Sequence, residues 1–251
     1  MYQKAKEIST VIKKMIDTYS MTKRQIIMLV FLFLFSTVTL SAGDVASFVN
    51  LGFSEDSKHF LFGQYGIMEE STRPYADLFT VEVSKNSFSP GGVFHGLYSG
   101  PVEPGYEGIG ALFTLYSEHV EKIRSFDIDH IKTGRILYIL VNGETPKPEL
   151  SFRDFYTGHT YNVTLHQNVY EENSKVSASF YINLRVTTKN GKSEYFTVGL
   201  PDFKREKVKK YLIRKIIISP DQRSLVFVIE KEMADKGGVN IRYMVETVEI
   251  R

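Results

Sequence analysis

Six histidines are the first residues to test for chemistry: His59, His95, His119, His130, His159 and His166. None lies in the HExxH spacing that puts two imidazoles and a general base on one helix face, nor in any other recognised metal-ligand spacing. Asp127, Asp129 and His130 (DIDH) are near enough in sequence to share a metal, but neighbouring residues of an extended or turning chain point in different directions, which favours a solvated loop. The serine of GLYSG (96–100) lacks the GxSxG spacing of a nucleophile elbow, so Ser99 reads as an ordinary loop residue. Glu69 and Glu70 are adjacent, and adjacent carboxylates seldom converge on one substrate. These residues therefore imply no catalytic group, no metal and no cofactor.

One stretch does carry binding chemistry. GGVFHGLYSGPVEPGYEGIG (91–110) interleaves seven glycines with Phe94, His95, Tyr98 and Tyr106, and Glu107 follows. Glycine lets a backbone approach a ligand closely, and exposed ring faces stack on sugars or on partner side chains. Phe94, His95, Tyr98, Tyr106 and Glu107 are thus the candidate binding loop. The competing expectation is a long connection whose aromatics fold back onto a sheet. No phosphate-cradling lysine follows the glycines, which argues against a nucleotide loop.

The compartment is written near the start of the chain. Lys23 and Arg24 precede an unbroken apolar run, Ile26 to Phe35, and the small residues Ser41, Ala42 and Gly43 come after it. A positive end, an apolar stretch of roughly 7–15 residues and a small-residue cleavage site make a secretory signal. A spanning helix needs about 20 apolar residues, and Ser36, Thr37 and Thr39 interrupt this run. Cleavage near Ala42 divides the chain into an N-terminal extension with signal peptide, 1–42, and a single β-rich exported domain, 43–251. That domain would be periplasmic or secreted. The alternative is an uncleaved anchor through residues 26–42, with the domain facing the periplasm from the inner membrane. Met21 would open a complete signal by itself, so Met1 and Met21 both stand as starts.

Composition agrees with export of one sizeable domain. Cysteine is absent, which rules out disulfides and a lipid on cysteine. Residues 1–42 hold six basic and two acidic side chains, leaving 25 against 27 beyond them, so the formal +2 of the chain becomes −2 for the exported part. A near-neutral domain has no broad footprint for nucleic acid. Its 209 residues are enough to bury roughly 70% of the unfolded surface without staples.

The elements that must position any site are mostly strands. VSASFYINLRV (176–186) alternates, with Val176, Ala178, Phe180, Ile182, Leu184 and Val186 on one face, and Asn190-Gly191 then signals a hairpin returning through Tyr195 to Leu200. RILYILV (135–141) is an apolar strand closed by Asn142-Gly143. LVFVI (225–229) and IIIS (216–219) are continuous apolar runs of the kind covered on both faces, hence central strands. One packed helix is expected over about 110–125, where Leu112, Leu115, Tyr116, Val120 and Ile123 recur at helical spacing. KREKVKK (204–210) is compatible with a second, short helix. The fold class is mainly β: an antiparallel β-sandwich or an irregular propeller-like β domain.

Two distant segments read as one repeated unit. FSEDSK (53–58) leads into Phe60 to Phe62 and ends in LFTVEV (78–83), while ISPDQR (218–223) leads into LVFVI and ends in VETVEI (245–250), with Ser54 and Ser219 separated by 165 positions. In the second, Ser219 accepts a local hydrogen bond, Pro220 pre-sets its φ and Asp221 suits the turn; Ser54 and Asp56 repeat the turn without the proline. These units resemble the repeats of TolB-like propellers, with RDFYTGHTYNV (153–163) a loose third. FGQYGI (62–67), RPYADLFTVEV (73–83), VSASFYINLRV, ISPDQRSLVFVIE (218–230) and IRYMVETVEI (241–250) together resemble a family of secreted bacterial proteins frequent in spirochaetes. That resemblance implies export and one domain, and no activity.

The expected function is that of an exported envelope or periplasmic protein, a non-enzymatic domain binding an envelope protein or glycan. One alternative is an envelope-associated hydrolase in which Glu107, His95 and Asp127 converge. Another is a structural role, with the domain held at the membrane.

Overall fold

Runs of apolar side chains with period two dominate the chain beyond residue 43, and each such run is a strand. The computed structural model describes residues 6–16, 43–100, 102–103, 105–173, 175–234 and 239–250. Residues 1–41 and 42–251 separate into two units. In the first, residues 6–16 form helix α1. The expected signal, Lys23 to Ala42, lies outside the described residues. Among the described residues no helix is long and apolar enough to cross a membrane.

The second unit is built from three antiparallel sheets. β1 (Ser47–Ser54), β2 (His59–Ile67), β3 (Pro74–Glu82) and β4 (Ser87–Leu97) form a meander, and the short β5 (Ile128–Asp129) pairs with β1. Helices α2 (Ile109–Glu118) and α3 (Val120–Arg124) occupy the connection between β4 and β5. After β6 (Arg135–Ile139) comes a second meander, β7 (Glu149–Arg153), β8 (Thr160–Glu172), β9 (Lys175–Thr187) and β10 (Ser193–Glu206). The third sheet joins β6 to β11 (Val208–Ile218), β12 (Ser224–Ala234) and β13 (Val239–Glu249) in the order β13-β12-β11-β6.

The third sheet is the central one, for a reason visible in its sequence. Leu225, Phe227 and Ile229 of β12 join the core shared with Phe180, Ile182 and Leu184 of β9. The intervening Val226 and Val228 join a separate core with Phe53, Phe60, Phe62 and Val81 of the first sheet. A strand buried on both faces cannot alternate apolar with polar, and LVFVI does not. The sheet of β7–β10 buries only one face, so β9 alternates. On the far side of the first sheet, Ala111, Leu112 and Leu115 of α2 and Ile123 of α3 pack on Leu61, Ala76 and Leu78. The order of layers is helices, first sheet, central sheet, outer sheet. This is a sandwich-like stack, and among the described residues no ring of sheets closes.

Three expectations change in detail. The single helix of 110–125 is two helices, interrupted at His119, whose φ of −116° and ψ of 14° leave the helical region. Residues 204–210 are not helical: β10 runs to Glu206, Lys207 turns with a φ of 60°, and β11 begins at Val208. There Val208 and Tyr211 must both reach the core between the outer and central sheets, and that burial outweighs local helix propensity. Residues 91–97 of the glycine-aromatic stretch are not loop but the C-terminal half of edge strand β4.

Candidate functional site

Strand geometry separates the residues of the expected binding loop. Successive side chains of β4 point to opposite faces. Phe94 faces the helices, where its ring stacks on His119 with centroids 4.1 Å apart. Tyr98 is on the same side and donates from Oη to Glu118 Oε2 at 3.0 Å. Burial, and then this bond to a carboxylate, pushes the Tyr98 phenol up to about 12. His95 faces the other way, opposite Asp77 in the β3–β4 ladder, with Nδ1 at 2.6 Å from Asp77 Oδ1. Tyr106 is 67% exposed and Glu107 is exposed, both in the connection that leads to α2. Phe94 and Tyr98 therefore pack between the first sheet and the helices.

The residues of the hydrolase alternative have other engagements. His95 is held by Asp77, whose second oxygen accepts from Gln64 Nε2 at 2.8 Å. Asp127 occupies an exposed turn after α3 at a φ of 55°, with its carbonyl accepting from the Glu55 N–H. No hydrogen bond links His95, Glu107 and Asp127 among the described residues. Nor is there, among those residues, a group of three or more His, Asp or Glu side chains placed to hold a metal ion.

The two turns singled out by sequence carry the same bonds. Ser54 Oγ donates to Asp56 Oδ1 at 2.8 Å and accepts from the His59 N–H, and Asp56 Oδ1 also accepts from the Lys58 N–H. Ser219, Asp221, Ser224 and Arg223 repeat this set, with the Ser219 to Asp221 bond at 2.5 Å. The residue after each aspartate, Ser57 or Gln222, takes a left-handed φ near 60°. Lys58 first, through its side chain and its N–H, and then Ser54 hold the Asp56 carboxyl down at about 2. The β7–β8 turn uses different bonds: Asp154 accepts both guanidinium arms of Arg135 at 2.7 and 2.9 Å, the Tyr156 N–H and Thr157 Oγ1.

A coherent polar surface lies where sequence reading did not look. The outward face of the β7–β10 sheet forms cross-strand rows. One row runs Ser151, Asn162, Arg185, Tyr195; the next runs Glu149, Thr164, Asn183, Thr197; a third holds His166, Tyr181 and Gly199. Arg185 donates twice to Asn162 Oδ1, Asn162 Nδ2 donates to Ser151 Oγ, and Asn183 pairs with His166 at 3.1 Å. The Tyr181 ring stacks on His166 with centroids 4.6 Å apart. Its other neighbour in the row is Gly199, at a φ of 91°, which has no side chain to cover the ring. Tyr195 is 74% exposed beside an open depression of about 480 Å³ lined by Asn162, Thr164, Asn183, Arg185, Tyr195 and Thr197. These three rows contain no lysine, one arginine, Arg185, and one carboxylate, Glu149. The signal in the sequence is the polar half of the alternation in β8, β9 and β10.

A second polar cluster is buried where the three sheets meet. Asp44, 5% exposed, binds Arg242 Nη2 at 2.5 Å and accepts from Tyr75 Oη at 2.9 Å. Burial, ahead of the neighbouring charges, keeps the Tyr75 phenol protonated well above its usual range. Glu246 receives Asn86 from the first sheet and Arg205 from the outer sheet. Burial raises its carboxyl, although Asn86 and Arg205 oppose the shift. Lys231 is pushed down to about 8 by burial first and then by Arg205 and Arg242.

The fold is a helix-capped antiparallel β domain of three stacked sheets. The chain belongs to the family described as predicted secreted protein (DUF2259), whose model matches residues 61–249, from within β2 to the end of β13. No curated protein and no solved structure matches it.

Proposed function

We propose that residues 43–251 are an exported, non-enzymatic binding domain, delivered by the 1–42 leader to the periplasm or the cell exterior, and that its ligand is an envelope glycan held on the outward face of the β7–β10 sheet. The observation that carries this reading is the array of Tyr195, the Tyr181–His166 stack, Arg185, Asn162 and Asn183 on one rigid sheet. Sugars offer flat C–H faces to aromatic rings and a dense set of hydroxyls to amides and guanidinium groups. Near-neutral charge on this face suits a neutral polyol better than nucleic acid or an anionic membrane. The paired serine-aspartate turns support a common origin for the β1–β3 and β11–β13 units, in keeping with the TolB-like resemblance.

The test is co-sedimentation of the purified domain with insoluble envelope glycan, followed by soluble oligosaccharide competition. Tyr195→Ala and Tyr181→Ala should each weaken binding about tenfold, as loss of a stacking ring does, without lowering the thermal midpoint. Absence of glycan binding by the parent domain, or equal binding by both variants, would refute the assignment.

A further inference from the structure

A second opening continues the rows of the outer sheet. β6 and β7 are edge strands of the central and outer sheets, and a cleft of about 400 Å³ is lined by both of them and by the connection between them. Leu140 and Leu150 supply its buried apolar part. Tyr138 and Phe152 also line it, their rings stacked with centroids 6.1 Å apart. Glu144, Thr145 and Lys147 are its exposed rim.

Strand register joins this cleft to the depression beside Tyr195. Ser151 and Glu149 line the cleft, and each opens one cross-strand row of the outer face. The other three members of each row line the depression: Asn162, Arg185 and Tyr195 in one, Thr164, Asn183 and Thr197 in the other. The two openings therefore abut at the β7–β8 pair. From β10 to β7 the track crosses three interstrand steps, about 14 Å or roughly three sugar units, and the cleft lengthens it by about two more. Its charges balance, Arg185 and Lys147 against Glu144 and Glu149.

We propose that the glycan site continues past β7 into this cleft, and that its ligand is an extended neutral oligosaccharide of about five units lying across the strands, with Tyr195 at one end and Tyr138 with Phe152 at the other. This extension rests on the glycan reading of the outer face. Rings at both ends stack on sugar faces, while the amides and Arg185 between them meet hydroxyl groups. A peptide strand added to the free edge of β7 would run along that strand; the rows run across it.

The probes are soluble fragments of the same envelope glycan, sorted by length and titrated into the exported domain. Affinity should rise about tenfold from trisaccharide to pentasaccharide, the scale of one further stacked ring, and then level off. Thr145→Trp adds bulk at an exposed rim position and should leave the pentasaccharide no tighter than the trisaccharide, whereas Tyr195→Ala should weaken both. The chain has no tryptophan, so Tyr138→Trp puts a single emitter in the cleft while keeping a ring there. Its fluorescence should change with the pentasaccharide and stay constant with the trisaccharide. Should Tyr138→Trp fail to fold, the length series with Thr145→Trp decides alone. Binding that depends on Tyr195 yet levels off at the trisaccharide, with Thr145→Trp equal to the parent, overturns the extension and leaves the glycan face standing. Failure of every length to bind removes both.

Discussion

Arg135 and Asp154 show how single side chains hold separate sheets in register. The Asp154 side chain is 2% exposed, while that of Arg135 remains 40% exposed. Burial by itself would raise the Asp154 carboxyl, but the hydrogen bonds from Arg135, Thr157 and the Tyr156 N–H outweigh it and hold the group well below the usual carboxylate range. A carboxyl depressed in the folded state stabilises above its unfolded pKa, and that stability is lost as pH falls through the folded value. The acid side of the stability curve should therefore slope below about pH 4, where the unfolded carboxyl begins to take up a proton. Arg135→Met strands the buried carboxylate and should cost about 3 kcal/mol at neutral pH. Asp154→Asn keeps one acceptor oxygen for the Tyr156 N–H, offers an N–H that Thr157 Oγ1 can accept, and leaves no buried charge, so it should cost less. Urea midpoints at pH 7 and pH 3 check both statements, since the Arg135→Met penalty should shrink at the lower pH as the carboxyl becomes neutral.

At the scale of the element, the serine-aspartate turns are the units that sequence identifies most directly. Ser54 and Ser219 are each 1% exposed and each satisfies a backbone N–H five residues on. Replacing either by alanine leaves that N–H buried without its acceptor, so Ser54→Ala and Ser219→Ala should each cost about 1–2 kcal/mol, read from denaturant midpoints. Pro220→Ala touches no hydrogen bond and should cost under about 1 kcal/mol, through the unfolded chain alone. These turns were legible because their chemistry is local: a serine, an aspartate two residues later and an apolar run beyond. The half-buried β9 and the doubly buried β12 were legible for a similar reason, since period two and its absence report how many faces are covered. What is not local was hidden. The glycine-aromatic stretch looked like a loop because seven glycines weaken any strand signal, yet the pairing of Phe94 with Leu78 and of His95 with Asp77 makes its first part, residues 91–97, an edge strand. The β7–β10 face escaped notice because each of its rows is assembled from three or four strands that are distant in sequence.

For the whole molecule, the central sheet decides whether the stack unfolds in parts or together. β12 sends Phe227 into the core shared with the outer sheet and Val226 into the core shared with the first sheet, and both side chains are fully buried. β11 does likewise with Ile216 and Ile217. Neither interface can open without uncovering one face of strands whose other face belongs to the second interface. Gly52 adds a tie at the periphery: its φ of 108° and missing side chain let β1 bulge against β5, where a Cβ would lie 2.4 Å from the Asp129 carbonyl oxygen. The outer meander, by contrast, meets the remainder through one core and the Arg135–Asp154 and Arg205–Glu246 pairs. If it were an independent folding unit, damage to its interface would leave the first sheet untouched. Phe227→Ala should cost about 3–5 kcal/mol and Val226→Ala about 2 kcal/mol, from lost burial and the cavities left behind. For a domain of this length that corresponds to falls of roughly 6–20 °C and 4–8 °C in thermal midpoint. Because the two side chains sit on opposite faces of one strand, both variants should retain a single transition in which calorimetry and far-ultraviolet circular dichroism coincide. A split transition in Phe227→Ala, with one part remaining at the parent midpoint, would show that the outer sheet unfolds alone and that the shared strand does not couple the layers.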